Sequence, residues 1–482
     1  MGNTDLIGSA PEREGVSSRG LAAFLEALDG CDQEIDAFVL LRHGRIIAEG
    51  GWAPYSSTLP RLSNSVSKSF ASTAIGMAVA EGLLSVEDQV IAFFPDQSPS
   101  EPSEHLAAMR VKHLLTMSTG HQVDTLNLFE QELALKKDWV RTFLHAPVEE
   151  APGTRFLYNS GATYMLSAIL QRVTGMTLFD YAKPRLFEPL GIREATWQTC
   201  PLGITVGGWG LSISAESYAK FGQLYLNKGT WNGERLLSEA WIEEATGVRI
   251  ATAAQPDEDH DWAQGYGYQF WRCRHGAFRA DGAFGQFILI LPRQDAVFAF
   301  TSAMYESQPI LDLIWAQLLP LLEGADGPLA PDPEGERLLQ ETAASLRIAA
   351  PREIDRSATE PAVDGRRYAF EANGLGLREA TVTCGEEEVV LAWTSERGEA
   401  QVRFGRGAWV VNGSTDDRAA CAASATWTSD GTLKLTIRPL RTAYVNTIEI
   451  RFDREGEAQI AIKRDYDVFV SSLGSWKGRA DG

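Results

Sequence analysis

Apolar and polar positions change their period several times along the chain. Positions 21–28 carry apolar residues at helical spacing and predict a short amphipathic helix. Two strand-like runs follow, Ala37-Phe38-Val39-Leu40-Leu41 and Arg45-Ile46-Ile47-Ala48-Glu49, and His43-Gly44 between them predicts a hairpin. A helix is expected over about 65–81, stopping at Gly82 in the left-handed cap position. The middle, about 88–252, reads mostly helical, with clear periodicity at 162–173 and 214–226 ending near Gly175 and Gly229. Strand pattern returns at 267–271 and in a second hairpin, 287–291 with 297–300, around Pro292-Arg293-Gln294-Asp295; a last helix is expected at about 310–322. Strands at both ends and helices between them predict an α/β (α+β) domain. Its antiparallel sheet would be built from N- and C-terminal segments, flanked by helices, with an inserted helical region.

The texture changes after residue 324. Pro328, Pro331, Pro333, Pro351 and Pro361 punctuate a stretch holding one expected helix, 334–346, and read as a linker. Beyond it lie short alternating runs at 380–383, 389–393, 408–411, 433–437 and 447–450, which predict a small antiparallel barrel or sandwich. The expected division is therefore 1–325, a linker over 326–361, and an all-β domain over 362–482.

Charge removes some functions and selects none. The 482 residues carry 44 basic and 64 acidic side chains, a net charge of −20. Neither part is a basic module, since residues 331–482 alone hold 20 basic and 25 acidic side chains. A nucleic-acid or anionic-membrane partner is excluded on that ground. The start has no cationic and apolar leader pattern, and no apolar run reaches the roughly 18–20 residues of a spanning helix. Five scattered cysteines form no CxxC pair. Together these features predict a soluble, cytoplasmic protein without a disulfide framework.

The chemically informative segment is Leu62-Ser63-Asn64-Ser65-Val66-Ser67-Lys68-Ser69-Phe70. Serine and lysine three residues apart at a helix start share a face, and the helix end adds N–H groups and a positive field beside the serine oxygen. Lysine accepts a serine proton once desolvation or a neighbouring cation lowers its pKa. Ser65 is thus a candidate nucleophile with Lys68 as its base. The same spacing recurs in Ser217-Tyr218-Ala219-Lys220, but there Ser214 reads as the helix cap and Tyr218, Phe221 and Leu224 as a packing face. Position separates the two. Downstream, Pro152-Gly153-Thr154-Arg155-Phe156-Leu157-Tyr158-Asn159-Ser160-Gly161 enters a helix with Ser160 as the expected N-cap. Tyr158, biased towards phenolate by a nearby ammonium, would relay protons. In Ala280-Asp281-Gly282-Ala283 small residues either admit an acyl group, with an amide near Ala283 joining that of Ser65 in an oxyanion hole, or form only a glycine-rich strand entry.

With these three segments the sequence resembles the serine β-lactamase and penicillin-binding-protein superfamily, in particular its class C β-lactamase-like branch of esterases, D-aminopeptidases and 6-aminohexanoate-oligomer hydrolases. The resemblance spans roughly residues 15–325. Gly208-Trp209-Gly210-Leu211-Ser212, Gly265-Tyr266-Gly267-Tyr268 and Gly282-x-x-Gly285-Gln286 add to it. It implies Ser65 as the acylated residue, Lys68 and Tyr158 as the proton-transfer pair, and the amides of Ser65 and Ala283 as the oxyanion hole. Two departures bear on substrate. The family's Tyr-x-Asn is Tyr158-Asn159-Ser160, so the substrate-contacting amide is either replaced by the Ser160 hydroxyl or displaced by one position. The family's Lys-Thr-Gly or His-x-Gly is Ala280-Asp281-Gly282, which removes a grip on substrate carboxylates; Asp281 either favours a cationic group instead or is only a turn former. His121, after Ser118-Thr119-Gly120, either lines the cleft or is a satisfied surface histidine.

The expected activity is hydrolysis of a small-molecule ester or amide through a Ser65 acyl-enzyme, with no cofactor and no metal. The alternatives are a D-amino-acid peptidase or amidase, a weak β-lactamase, and a non-enzymatic ligand sensor or scaffold. No G-x-S-x-G elbow and no HExxH are present, and the glycine-rich stretches lack the strand-to-helix setting of a dinucleotide site. The C-terminal domain has three open roles: covering the cleft, restricting substrate size, or mediating assembly into a homo-oligomer.

Overall fold

The computed structural model describes residues 5–128, 138–253, 257, 259–324, 327–414, 419–453, 457–468 and 470–480. The chain divides into two compact units. One comprises Met1–Gly50, Leu62–Ser302 and Glu306–Ser345; the other comprises Gly51–Arg61, Ala303–Tyr305 and Leu346–Gly482.

The first unit is built on a seven-stranded sheet. Its strands are β1 (Ile7–Gly8), β2 (Ile35–Arg42), β3 (Arg45–Gly51), β4 (Trp271–Arg272), β5 (Phe278–Gly282), β6 (Gln286–Leu291) and β7 (Ala296–Ser302), in the spatial order β1-β3-β2-β7-β6-β5-β4. β2, from the early part of this unit, pairs antiparallel with β7, from its late part, Val39 opposite Ala299, which joins distant segments in one sheet. The first hairpin turns at His43 and Gly44, both at positive φ, the twist that a two-residue connection requires. β2, β6 and β7 are buried along their whole length, because helices cover both faces. Alternate residues of β7 meet different layers. Phe298 packs on Phe24 of α1 (Ser18–Asp29), while Val297 crowds Gly222 on the opposite face.

Helix α2 (Ser67–Ala80) is buried from Ser67 to Ala78. A helix apolar on nearly every side belongs in the interior rather than on a surface; Phe70 stacks on Phe221 with ring centroids 3.9 Å apart. Helices α3 (Ser160–Thr174) and α4 (Ala215–Leu226) follow the expected periodicity, and α3 stops at Gly175 in the left-handed conformation. The strand expected at 267–271 shrinks to β4. Gln269 sits at φ 67°, and a Cβ on Gly267 would lie 2.0 Å from Ala245 O, so this segment is a packed turn.

The expected boundary at 325/326 lies outside the described residues. Within the 326–361 segment, α5 (Pro333–Ser345) is part of the first unit and packs along α1, where Arg19 pairs with Asp332 at 2.7 Å.

The second unit is a barrel. Its strands are β8 (Arg367–Phe370), β9 (Leu377–Cys384), β10 (Glu388–Ser395), β11 (Gly398–Arg406), β12 (Val410–Asn412), β13 (Cys421–Ser429), β14 (Thr432–Pro439), β15 (Val445–Phe452), β16 (Glu457–Asp465) and β17 (Ser472–Ala480). Nine of them close on themselves through a short parallel pairing of β11 with β13, Gly405 opposite Ser424; β12 adds to the edge of β13. Closure settles the choice between barrel and sandwich, and it leaves no long open edge. Trp427 is fully buried in the barrel core, its Nε1 donating to Glu360 Oε1 at 2.7 Å. No described helix of the protein is long and apolar enough to cross a membrane.

Candidate active site

Ser65 lies in a 3-10 turn, Asn64–Val66, immediately ahead of α2. Asn64 adopts a left-handed φ of 46°, which sharpens the entry. The turn is stitched to a neighbouring strand: Ser63 N donates to Leu211 O at 2.8 Å, Leu211 N to Ser67 Oγ at 3.2 Å, and Ser67 Oγ to Asn64 O at 2.6 Å. One helical turn on, Lys68 is 2% exposed, with Nζ 2.8 Å from both Ser65 Oγ and Gly208 O. Glycine is needed at 208, since a Cβ there would meet Ser160 O at 2.9 Å. Burial lowers the Lys68 pKa to about 7, against the opposing pull of the Asp124 and Asp281 carboxylates. Near neutrality the amine is therefore available as a base beside a serine hydroxyl.

Tyr158 completes the cluster. Its side chain hydrogen-bonds to Ser65, and Lys68 Nζ stands 4.8 Å from its ring centroid. The ring stacks on Trp271 at 5.8 Å and meets Tyr266 edge-on at 6.4 Å. The expected phenolate bias is reversed. Burial in this aromatic wall raises the Tyr158 pKa, the Ser65 hydrogen bond opposes the rise, and Asp281 and Asp124 add to it. Tyr158 rests as a neutral phenol that can donate a proton.

The residues after Tyr158 differ from expectation. Asn159, not Ser160, caps α3: its Oδ1 accepts from Gly161 N at 3.1 Å. The same oxygen accepts from Thr125 N at 3.1 Å and Thr125 Oγ1 at 2.7 Å, so Asn159 is turned into the protein. Ser160 becomes the first helical residue, 6% exposed, and its N–H donates to Asp124 Oδ1 at 2.9 Å. Asp124 is the functional candidate that sequence reading missed. It sits in an unremarked loop, and only folding brings its charge towards Lys68 and Tyr158.

The third segment arrives at the end of β5. A Cβ on Gly282 would lie 2.5 Å from Ser63 O and 3.1 Å from Val66 N, so only glycine lets this strand touch the Ser65 turn. Ala283 follows in the three-residue turn to β6, where Phe284 and Gly285 are both left-handed. Asp281 is held by Arg279, Nε to Oδ2 2.9 Å, and its pKa is raised by burial against that pairing. Arg279 is fully buried and also donates to Asp261 O at 3.2 Å, leaving this strand without a cation directed at a ligand. His121 is not on the surface: it is 2% exposed, with Nδ1 2.9 Å from Thr119 Oγ1 and its ring against Phe143. Burial lowers its pKa to about 4 and keeps it neutral.

Among the described residues no group of three or more His, Cys, Asp or Glu side chains is arranged to hold a metal ion. The assembled groups suit acyl transfer: a hydroxyl beside a buried amine, a phenol in contact with that hydroxyl, and a glycine-tailored strand end carrying a further amide.

The family model described as beta-lactamase matches residues 28–321. The 6-aminohexanoate-dimer hydrolase of Paenarthrobacter ureafaciens is 26% identical over 285 residues, which are 54% of this chain and 71% of that protein. Among solved structures, the octameric penicillin-binding protein homologue from Pyrococcus abyssi aligns with 95% of this chain and 99% of its own, at 16% identity and a TM-score of 0.50. EstCE1, a hydrolase with promiscuous acyltransferase activity, aligns with 62% of this chain and 99% of its own, at 18% identity and a TM-score of 0.51. These two likenesses are likenesses of fold. The matched family model spans more than half of the chain: the protein belongs to the β-lactamase family and is a serine hydrolase of it.

Proposed function

We propose that the protein hydrolyses a carboxylic ester or an uncharged amide through an acyl-enzyme on Ser65. The observation that carries this reading is the buried Lys68 amine 2.8 Å from Ser65 Oγ. Lys68 takes the Ser65 proton as Oγ bonds to the substrate carbonyl carbon. The amides of Ser65 and Ala283 hold the resulting oxyanion. Tyr158 delivers a proton to the departing alcohol or amine as its bond to carbon breaks, and recovers one through Lys68. Water then attacks the acyl-enzyme by the reverse route, releasing acid and free Ser65. Gly282, Ser160 and Asp281 line the approach in this reading. Esters and amides without a carboxylate are favoured because Arg279, the cation of β5, is committed to Asp281 and Asp261.

An amide that carries a carboxylate is the second reading, favoured by the similarity to a protein named for hydrolysing a 6-aminohexanoate dimer. Assembly into a homo-oligomer is proposed with it, since a structural neighbour covering nearly the whole chain is described as octameric; light scattering of the purified chain tests that.

A serine-directed phosphonate followed by mass spectrometry tests the nucleophile: the label is expected on Ser65, and a label on Ser217 or on no serine overturns the assignment. Parallel assays on short p-nitrophenyl esters, nitrocefin and D-alanyl amides then rank the substrate classes, with turnover expected first on the esters.

A further inference from the structure

The oxyanion hole of the proposed mechanism is made by two separate pieces of chain, the Ser65 turn and the β5–β6 turn, 218 residues apart in sequence. Its geometry depends on what fastens one to the other. Gly282 lets the two backbones approach, but a missing side chain fastens nothing. The β5–β6 turn is anchored from its own sheet, where Gln286 Nε2 donates to Phe284 O at 3.1 Å and to Ser302 O at 2.7 Å, and Ser302 Oγ donates to Phe284 O at 2.9 Å. Those bonds hold the turn to β7, not to Ser65. A bond that does cross is made by Asn64, the residue immediately before Ser65, whose Nδ2 donates to Ala283 O at 2.9 Å. Asn64 is also left-handed at φ 46°, a conformation that asparagine enters more readily than most residues with a side chain. One residue therefore sets the turn that presents Ser65 and grips the residue supplying the second amide.

We propose that Asn64 is a positioning residue for the oxyanion hole: its carboxamide holds Ala283 in register with Ser65, so that both amides meet the developing oxyanion. The inference rests on the Ser65 acyl-enzyme reading. Asn64 acts through Ala283 and touches no reacting atom. An interaction that matters only once the carbonyl oxygen carries charge affects turnover and leaves ground-state binding alone.

Asn64→Gly keeps the left-handed backbone and removes the carboxamide. Asn64→Asp also tolerates that backbone, but its ionised side chain cannot donate to Ala283 O. In the full chain, ester hydrolysis, phosphonate labelling rate, the pH profile and thermal melting are measured together. For Asn64→Gly the expected result is a fall in kcat of about 10- to 100-fold, with the labelling rate falling in parallel. KM, the melting midpoint and the pH at half-maximal activity are expected to stay where they are, because Lys68 is untouched. Asn64→Asp is expected to lose at least as much. A Gly variant with parental kcat, or a loss confined to KM, overturns the inference. If the Gly variant does not fold, the Asp variant decides by the same criteria. Ser65→Ala separates the two levels. If it retains turnover the acyl-enzyme reading fails; if it is inactive while the Asn64 variants match the parent, only the role of Asn64 fails.

Discussion

The chain contains the Ser-x-x-Lys pattern twice, and folding treats the two copies in opposite ways. At Ser65 and Lys68 the lysine reaches back to its own serine, 2.8 Å away, and among the described residues no carboxylate shares a hydrogen bond with its amine. At Ser217 and Lys220 the lysine instead pairs with Glu216 at 2.8 Å, one turn earlier on α4. Ser217 donates to Glu194, which also accepts from Ser214 Oγ at 3.0 Å. Burial opposes ionisation of Glu194, yet these hydrogen bonds prevail and its pKa is lowered. Ser217 is buried and its hydroxyl faces a carboxylate, a far weaker base than a neutral amine. The same two residues at the same spacing give a candidate reactive site in one place and a buried, hydrogen-bonded helix interior in the other. The partners decide.

The largest expected difference is between Ser65→Ala and Ser217→Ala. The first should lower kcat/KM by about 10⁴-fold or more, and the second should leave it within about twofold, as read by ester hydrolysis. Equal losses would end the distinction. Next comes the lysine pair. Lys68→Met keeps the length of the side chain but removes the base, with an expected loss of about 10²- to 10⁴-fold in kcat; Lys220→Met should retain activity.

The pH profile sharpens the comparison further. Lys68 works as a base when neutral, so activity should rise with pH through about 7, the value set by its burial. Asp124 pulls that value upward, so Asp124→Asn should move the rise to lower pH. Glu216→Gln, beside the other lysine, should leave the profile in place. A shift of the Asp124→Asn profile to higher pH would contradict the electrostatics. The smallest effect is on stability alone: Ser217→Ala removes one of the donors to the half-buried Glu194 carboxylate and should cost about 0.5–1.5 kcal/mol in denaturant unfolding.

Much of the fold was legible because local signals were strong. Gly82 and Gly175 stop helices in the left-handed conformation, as their positions require, and the two expected hairpins of the first unit turn where the sequence breaks. The barrel was legible in part. Strands β9, β10, β14 and β15 alternate clearly, whereas β13, Cys-Ala-Ala-Ser-Ala-Thr-Trp-Thr-Ser, is small and almost wholly buried, with no alternation to read. Its place comes from pairing with β11, β12 and β14, which is nonlocal. At the site, Ser65, Lys68 and Tyr158 could be named from sequence. Ser160 as the cap and His121 as a surface residue could not be judged there, because Asn159 competes for one role and Phe143 covers the other.

The sequence by itself determined the residue types and local geometry of the candidate machinery. Serine and lysine one helical turn apart must share a face, and glycine at 282 permits a close approach. Tertiary structure decided which copy of the pattern has a usable base. It also decided that Tyr158 rests as a phenol, that Arg279 is spent on Asp281, and that Asn64 reaches Ala283. The physical reason is range. Helical spacing and steric allowance act over a few residues of chain, whereas desolvation, charge and hydrogen-bond partnership depend on which distant segments are brought within a few ångströms.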